Sequence, residues 1–257
     1  MKEKDSFIVP FSSPLVPTDI PEIKGDSVWR ERIFELKSNP DIIVRTVNVR
    51  GSIFFEKDKE EVVRIAKREY DLLKTKYHIP VSAQFVLSGK NNNDAVIYGI
   101  TDRVYEEREN REEEIYERAK VAVGLLHYFF DTLQTYSLDT QKMKYFLSDI
   151  GFEEQYVYGK TTKDTRNAFR LVDIDPEHIS NDMGSFLLSF QDVVETIVDG
   201  VVKFLKQRGR SLQEMRDPVQ KSMNVLKELE QKGFLENEKR KLEDLRNVVQ
   251  NVFSDEE

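Results

Sequence analysis

The sequence predicts an α+β chain of two unlike lobes, and three observations carry that prediction. The first hundred residues alternate short runs rich in β-branched residues with a single helical pattern. At about residue 105 the composition shifts, and long segments with apolar residues at helical spacing continue to the C-terminus. Within this second part, Ala168-Phe169-Arg170-Leu171-Val172-Asp173-Ile174-Asp175-Pro176 keeps the period-two pattern of a half-buried strand and ends in two acids. At 257 residues the chain is long enough for one large domain or for two small lobes sharing a cleft.

Residues 1–24, with Pro10, Pro14, Pro17 and Pro21, read as an extended surface arm. A glycine turn at Gly25 leads to a strand centred on Ile33 and Phe34. Lys37-Ser38-Asn39-Pro40-Asp41 reads as a turn, because a residue before proline disfavours helix. A second strand follows at Ile42–Val47. Asp58 and Glu61 make a capping box for a helix over 59–77, in which Val62, Ala66, Tyr70, Leu73 and Tyr77 recur at helical spacing. Glu69 borders that apolar face, either as a flank charge or as an ion-pair partner for a basic residue on a neighbouring strand. Pro80 ends the helix, and strands Val81–Ser88 and Ala95–Thr101 are joined by an Asn-rich loop over 89–94. Residues 25–104 therefore form a small, mainly antiparallel sheet carrying one helix.

The second lobe, 105–257, opens on a charge run, Glu106 to Glu114, with Asn110 as the cap of a helix reaching about Tyr136. Leu138–Ile150 reads as weakly helical and is stopped by Gly151. A strand at 155–160, the polar loop 161–167 and the acid-tipped strand make a hairpin near 155–173. Three helices close the chain, over 181–207, 211–232 and 236–253. The last two are divided at Gly233, and Pro218 is tolerated near the start of the second.

Composition narrows the function. The net charge of −8 argues against a nucleic-acid or anionic-membrane binder built on bulk charge. With no cysteine, disulfides, thiolate metal sites and cysteine nucleophiles are excluded. The three histidines lie far apart in sequence with no metal-ligand spacing. No apolar run reaches the length of a membrane helix and the N-terminus lacks a signal-peptide pattern, so a cytoplasmic location is expected.

A small sheet with one helix, followed by a helical lobe interrupted by a hairpin that ends in aspartate, resembles the protein-kinase-like fold over most of residues 24–205. Gly25-Asp26-Ser27 stands where that family's glycine-rich phosphate loop would be, reduced to one glycine. Ile42-Ile43-Val44-Arg45 is similar to the strand carrying the phosphate-binding lysine, with arginine in its place, and Glu69 to the helix glutamate paired with that base. Val96–Asp102 would lead into the hinge. Asp149-Ile150-Gly151-Phe152-Glu153-Glu154-Gln155 is similar to the catalytic loop, with Asp149 as the catalytic residue and Gln155 one place late for the metal-binding asparagine. A rival placement uses Asp139 through Lys144. Asp173-Ile174-Asp175 would be the metal-binding triplet, so Asp173 and Gln155 are the expected metal ligands and Gly25, Arg45 and Glu69 the expected nucleotide contacts.

The resemblance implies ATP and Mg²⁺ as cofactors. One glycine offers less backbone approach to phosphates, arginine a planar fork in place of a point charge, and glutamine a longer arm than asparagine. Together these departures point to a degenerate nucleotide site in a pseudokinase-like regulatory module. An active, divergent ATP-dependent phosphotransferase is the first alternative. The second is a non-catalytic interaction scaffold with the acids as a solvated turn and the charged C-terminal helices as a partner surface.

Overall fold

The computed structural model describes residues 33–36, 39–47, 59–88, 96–107, 110–172 and 179–254. The expected arm 1–24, the Asp58 cap and the loop 89–94 lie outside the described residues. Strands β1 (Ile33–Leu36), β2 (Asn39–Val47), β3 (Ala83–Ser88) and β4 (Val96–Asp102) form one antiparallel sheet in the order β1-β2-β4-β3. Ile42–Val47 lies beside β4 in register, with Ile42 opposite Asp102 and Val47 opposite Ile97. β2 starts three residues earlier than the sequence predicts. Asn39 and Pro40 are strand and not turn, because the β1–β2 register is irregular there, which leaves Pro40 where a missing ladder donor is tolerated.

Helix α1 (Lys59–Thr75) carries Val62, Ile65, Ala66, Tyr70 and Leu73 inward and contacts β3. Its acidic first turn and basic last turn both suit the helix dipole. The chain then drops to the second part of the molecule through the two-residue strand β5 (Tyr105–Glu106). Helix α2 (Arg111–Leu133) is capped as expected. Asn110 Oδ1 accepts from the Glu113 amide at 3.2 Å, and its side-chain amide donates to Glu113 Oε2 at 2.9 Å.

Leu138–Ile150 is not helical. A tight turn closed between Ser137 and Lys142, with Gln141 at φ +51°, leads to β6 (Phe146–Leu147), which pairs with β9 (Ile179–Ser180). Phe146 and Leu147 are fully buried beneath Phe129 and Phe186, and tertiary packing outweighs the weak helical pattern there. The hairpin is as expected: β7 (Tyr156–Lys160) pairs with β8 (Ala168–Leu171), and β5 extends this sheet on its other edge. Its loop is fixed by Arg170, whose buried guanidinium donates to the carbonyls of Gly159 and Arg166 and to Asp164 at 3.0 Å. The two arginines beside Asp164 hold its carboxyl well below the usual range.

The apolar segment predicted over 181–207 is one continuous rod with a widened centre: α3 (Met183–Asp192), a π-helical turn Val193–Val198 and α4 (Asp199–Gln207). Helices α5 (Gln213–Gln231) and α6 (Lys239–Phe253) pack on it and on α2, separated at Gly233 with φ +79°. Among the described residues no helix is long and apolar enough to cross a membrane.

One buried hydroxyl joins α1, α2 and β6. Tyr128 donates to Glu69 Oε2 at 2.9 Å and accepts from the Leu147 amide at 2.8 Å. Tyr128→Phe should keep the ring packing but leave a buried carboxylate oxygen and a buried N–H unpaired. The expected cost is about 1–3 kcal/mol, read as a shift of the urea midpoint without a change in slope.

Candidate functional site

The segment around the acid-tipped strand is held from three directions. The Leu171 amide donates to the Pro80 carbonyl at 2.9 Å, and the Leu171 carbonyl accepts from the Ser82 amide at 3.0 Å. Val172 donates its amide to the Gln155 carbonyl at 2.8 Å, while its own carbonyl accepts from the Thr101 hydroxyl at 3.1 Å. The residue immediately before Asp173 is thus tied both to β4 of the four-stranded sheet and to the start of β7. Asp173 itself lies outside the described residues, as does Gly25.

Gln155 closes a short 3-10 turn, Glu153–Gln155, and is buried at 7% exposure. Its side-chain Oε1 is buried and has no hydrogen-bond partner among the described residues. A native interior rarely leaves a carbonyl oxygen unpaired, so this atom is suited to a ligand that supplies positive charge or a donor. Among the described residues no cluster of three or more His, Cys, Asp or Glu side chains could hold a metal ion.

Asp149 is half-buried at the head of the loop that runs to Gln155, and this loop is seated on the π-helical turn. Gly151 lies so close to the rod that a Cβ there would sit 2.8 Å from Asp192 Cβ and 2.9 Å from the Val193 amide nitrogen. The Gly151 carbonyl accepts from the Thr196 hydroxyl, and the Ile150 carbonyl accepts from Tyr156 at 2.8 Å. The wide π turn brings Asp192 and Thr196 to the loop at once, a common use of such turns at functional sites. Burial, with Glu195 and then Asp149 as neighbouring negative charges, pushes the Asp192 carboxyl up to about 6. The rival Asp139 sits exposed in the turn closed by Ser137 and Lys142.

Glu69 is buried at 4% exposure on the side of α1 that faces α2 and β6. Its Oε1 pairs with Arg68 at 2.6 Å and its Oε2 with Tyr128, so the described partners of this carboxylate are Arg68 and Tyr128. Burial raises its pKa in spite of Arg68. Arg45 lies in β2 between Ile33 and Gly99, and its side chain is outside what the structure describes.

Four residues that organise this region were not singled out by sequence reasoning: Arg118, Tyr128, Asp192 and Thr196. Arg118 holds the loop from below. It pairs with Glu153 at 2.7 Å, donates to the Thr196 carbonyl at 3.4 Å, and lies 5.2 Å over the Phe169 ring. Phe169 in turn stacks on Tyr156 at 4.9 Å. A signal was present: Arg118 is three residues after Ile115 and four before Ala122, a charge set on the apolar face of a helix.

Two outcomes follow from this geometry. Gly151→Ala should cost about 1–3 kcal/mol in chemical denaturation, since the added methyl meets backbone and a Cβ that cannot swing away. The raised carboxyl of Asp192 keeps its proton in the folded state after the unfolded chain has lost it. Stability should therefore fall as pH rises from about 4 to about 6. Asp192→Asn should remove that slope, worth about 1 kcal/mol once solvent screening of a half-exposed group is allowed for. Urea titrations of both proteins at pH 4, 5 and 6 measure it; parallel curves would show that Asp192 titrates normally. No protein-family model, curated protein or solved structure matches this chain.

Proposed function

We propose that the chain is a kinase-like nucleotide-binding module with a degenerate site, serving a regulatory role. The single observation that carries the reading is the junction at Val172, where the residue before Asp173 is bonded to Gln155 and to Thr101. The same Gln155 carries a buried side-chain oxygen that has no hydrogen-bond partner among the described residues, which supports the reading. The element order supports the same reading. A four-stranded sheet in the order β1-β2-β4-β3 carries its helix between β2 and β3, and the hairpin β7–β8 lies between the paired strands β6 and β9.

In this reading Gln155 and Asp173 hold Mg²⁺, and the cation neutralises phosphate charge when nucleotide is bound. Arg45 is proposed as the phosphate-facing cation and Gly25 as the backbone approach over the phosphates. The structure gives Glu69 two partners of its own, so its proposed contribution is to fix α1 against α2 and thereby the sheet above the cleft.

An active phosphotransferase is the second reading. It is favoured by Asp149, whose loop is anchored by Thr196 and Tyr156 and whose charge is felt by Asp192. A carboxylate held on rigid supports is what positioning an acceptor hydroxyl requires.

A thermal-shift titration with ATP, with and without Mg²⁺, tests both. Nucleotide at a hundredfold excess over its Kd should stabilise the fold by roughly 2.7 kcal/mol. Asp173→Ala and Gln155→Leu should each abolish the magnesium-dependent part and leave the ligand-free melting temperature nearly unchanged. Asp149→Asn should retain binding and remove any turnover, which separates the two readings. If no purine nucleotide shifts the melt at millimolar concentration, both fail and the interaction scaffold is what remains.

A further inference from the structure

We infer that the contact between the Asp149–Gln155 loop and the π-helical turn Val193–Val198 is a proton-operated latch, closed while the carboxyls gathered there hold a proton and released once all are ionised.

The clasp is small. Gly151 is buried against Asp192 and Val193 with no room for a Cβ, so loop and rod meet backbone to backbone. One hydroxyl bonds across the contact. Thr196 Oγ1 donates to the Gly151 carbonyl and also lies 2.8 Å from the carbonyl of Asp192, four residues back on its own helix. When the loop leaves, Thr196 keeps that second acceptor, so release strands no buried donor on the rod.

The rod yields most easily at this point. The Asp199 amide reaches back to the Val194 carbonyl, the longer ring of a π turn. Gly200 follows, exposed and with nothing within 4 Å of where a Cβ would stand. No packing calls for glycine there, and glycine weakens a helix interior. Widened turns and glycines are where helices bend.

Carboxyls from both sides converge on the clasp. Asp192 is half-buried where the turn begins, Glu195 follows it on the rod, and Asp149 stands at the head of the loop. The Gln191 side-chain amide donates to Glu195 at 3.1 Å and holds that charge in place. The cation facing the turn from α2 is Arg118, which is already paired with Glu153 at 2.7 Å. From α6, Lys241 is held by Glu238 at 2.8 Å beside Gly184, towards the opposite end of α3. Tyr156 of β7 spends its hydroxyl on the Ile150 carbonyl. Like charges therefore meet across a half-buried contact whose facing cation is engaged elsewhere, which favours the neutral form of a carboxyl. Burial and these two neighbours raise Asp192 to about 6. A proton held in the closed latch favours closure at low pH, and the advantage fades as pH rises through about 6. The latch does not require a nucleotide site.

Amide hydrogen exchange of the full chain, read by mass spectrometry at pH 5.0 and 7.5 with labelling times scaled to the intrinsic rate at each pH, tests the latch. Peptides covering 148–156 should lose about tenfold in protection at the higher pH, the ratio given by a carboxyl at about 6 when closed and at its ordinary 3.8 when released. Peptides from β4 and α5 should keep theirs. Asp192→Asn should hold the loop equally protected at both pH values. Thr196→Val should lower loop protection already at pH 5.0, and Thr196→Ser should restore the parent's response.

Four results would overturn the inference: equal loop protection in the parent at both pH values, an unchanged pH response in Asp192→Asn, full protection in Thr196→Val, or a loss spread evenly over the chain, which would assign the titration to global unfolding. Should Asp192→Asn not fold, the parent at two pH values and the Thr196 pair still decide.

Discussion

A guanidinium held mostly out of water on the inner face of a long helix draws polar and aromatic groups to itself, and the central part of this molecule is arranged around Arg118. Arg118 cannot reach bulk water freely, so it draws in the Glu153 carboxylate, the Thr196 carbonyl and the face of Phe169. Those groups belong to the Asp149–Gln155 loop, the π-helical turn and the hairpin. One charge therefore fixes the relative position of three segments that share no local sequence. Ten residues on along the same helix, Tyr128 does the corresponding work with a hydroxyl, joining Glu69 of α1 to the backbone of β6.

These polar anchors lie within an aromatic core. Phe129, Phe146, Phe186 and Phe190 are fully buried, with ring centroids between 5.6 and 6.4 Å apart. Aromatic packing of this kind is strong but tolerant of small rotations, whereas hydrogen bonds to Arg118 and Tyr128 admit one arrangement. The division suits a site that needs accurate backbone positions. The core supplies the bulk of the stability, and the buried polar groups fix which loop meets which helix. The π turn belongs to the second class, since its extra width brings Asp192 and Thr196 to Gly151 together.

The outer side of α2 uses the same helix differently. Along the outer face, Tyr116, Ala119 and Val123 are partly covered and Gly124 is pressed by the turn 76–79, while at the edges Lys120 pairs with Glu117 and Lys76 with Asp131. A single helix thus carries two faces with distinct chemistry, one devoted to holding the loop and hairpin and one left open to solvent.

Much of this was legible in the sequence because it rests on local chemistry. Strands at Ile42–Val47 and Val96–Thr101, the Asn110 cap, the hairpin 156–171 and the apolar rod 183–207 follow from periodicity, capping and turn composition, which act within a few residues. The strand Ala168–Leu171 was legible by pattern as well, and the fold bonds the Val172 amide after it to the Gln155 carbonyl. What only the tertiary structure decided is long-range. Leu138–Ile150 carries a weak helical pattern, yet pairing of Phe146 with Ser180 and burial against Phe129 make Phe146–Leu147 a short strand within a non-helical segment. Glu69 reads equally as a partner for a strand arginine or as a flank charge, and its burial beside Tyr128, fifty-nine positions away, gave it the partners described here. Arg118, Asp192 and Thr196 acquire their roles from groups thirty or more residues distant, and no spacing rule encodes such contacts because they exist only once the core has closed.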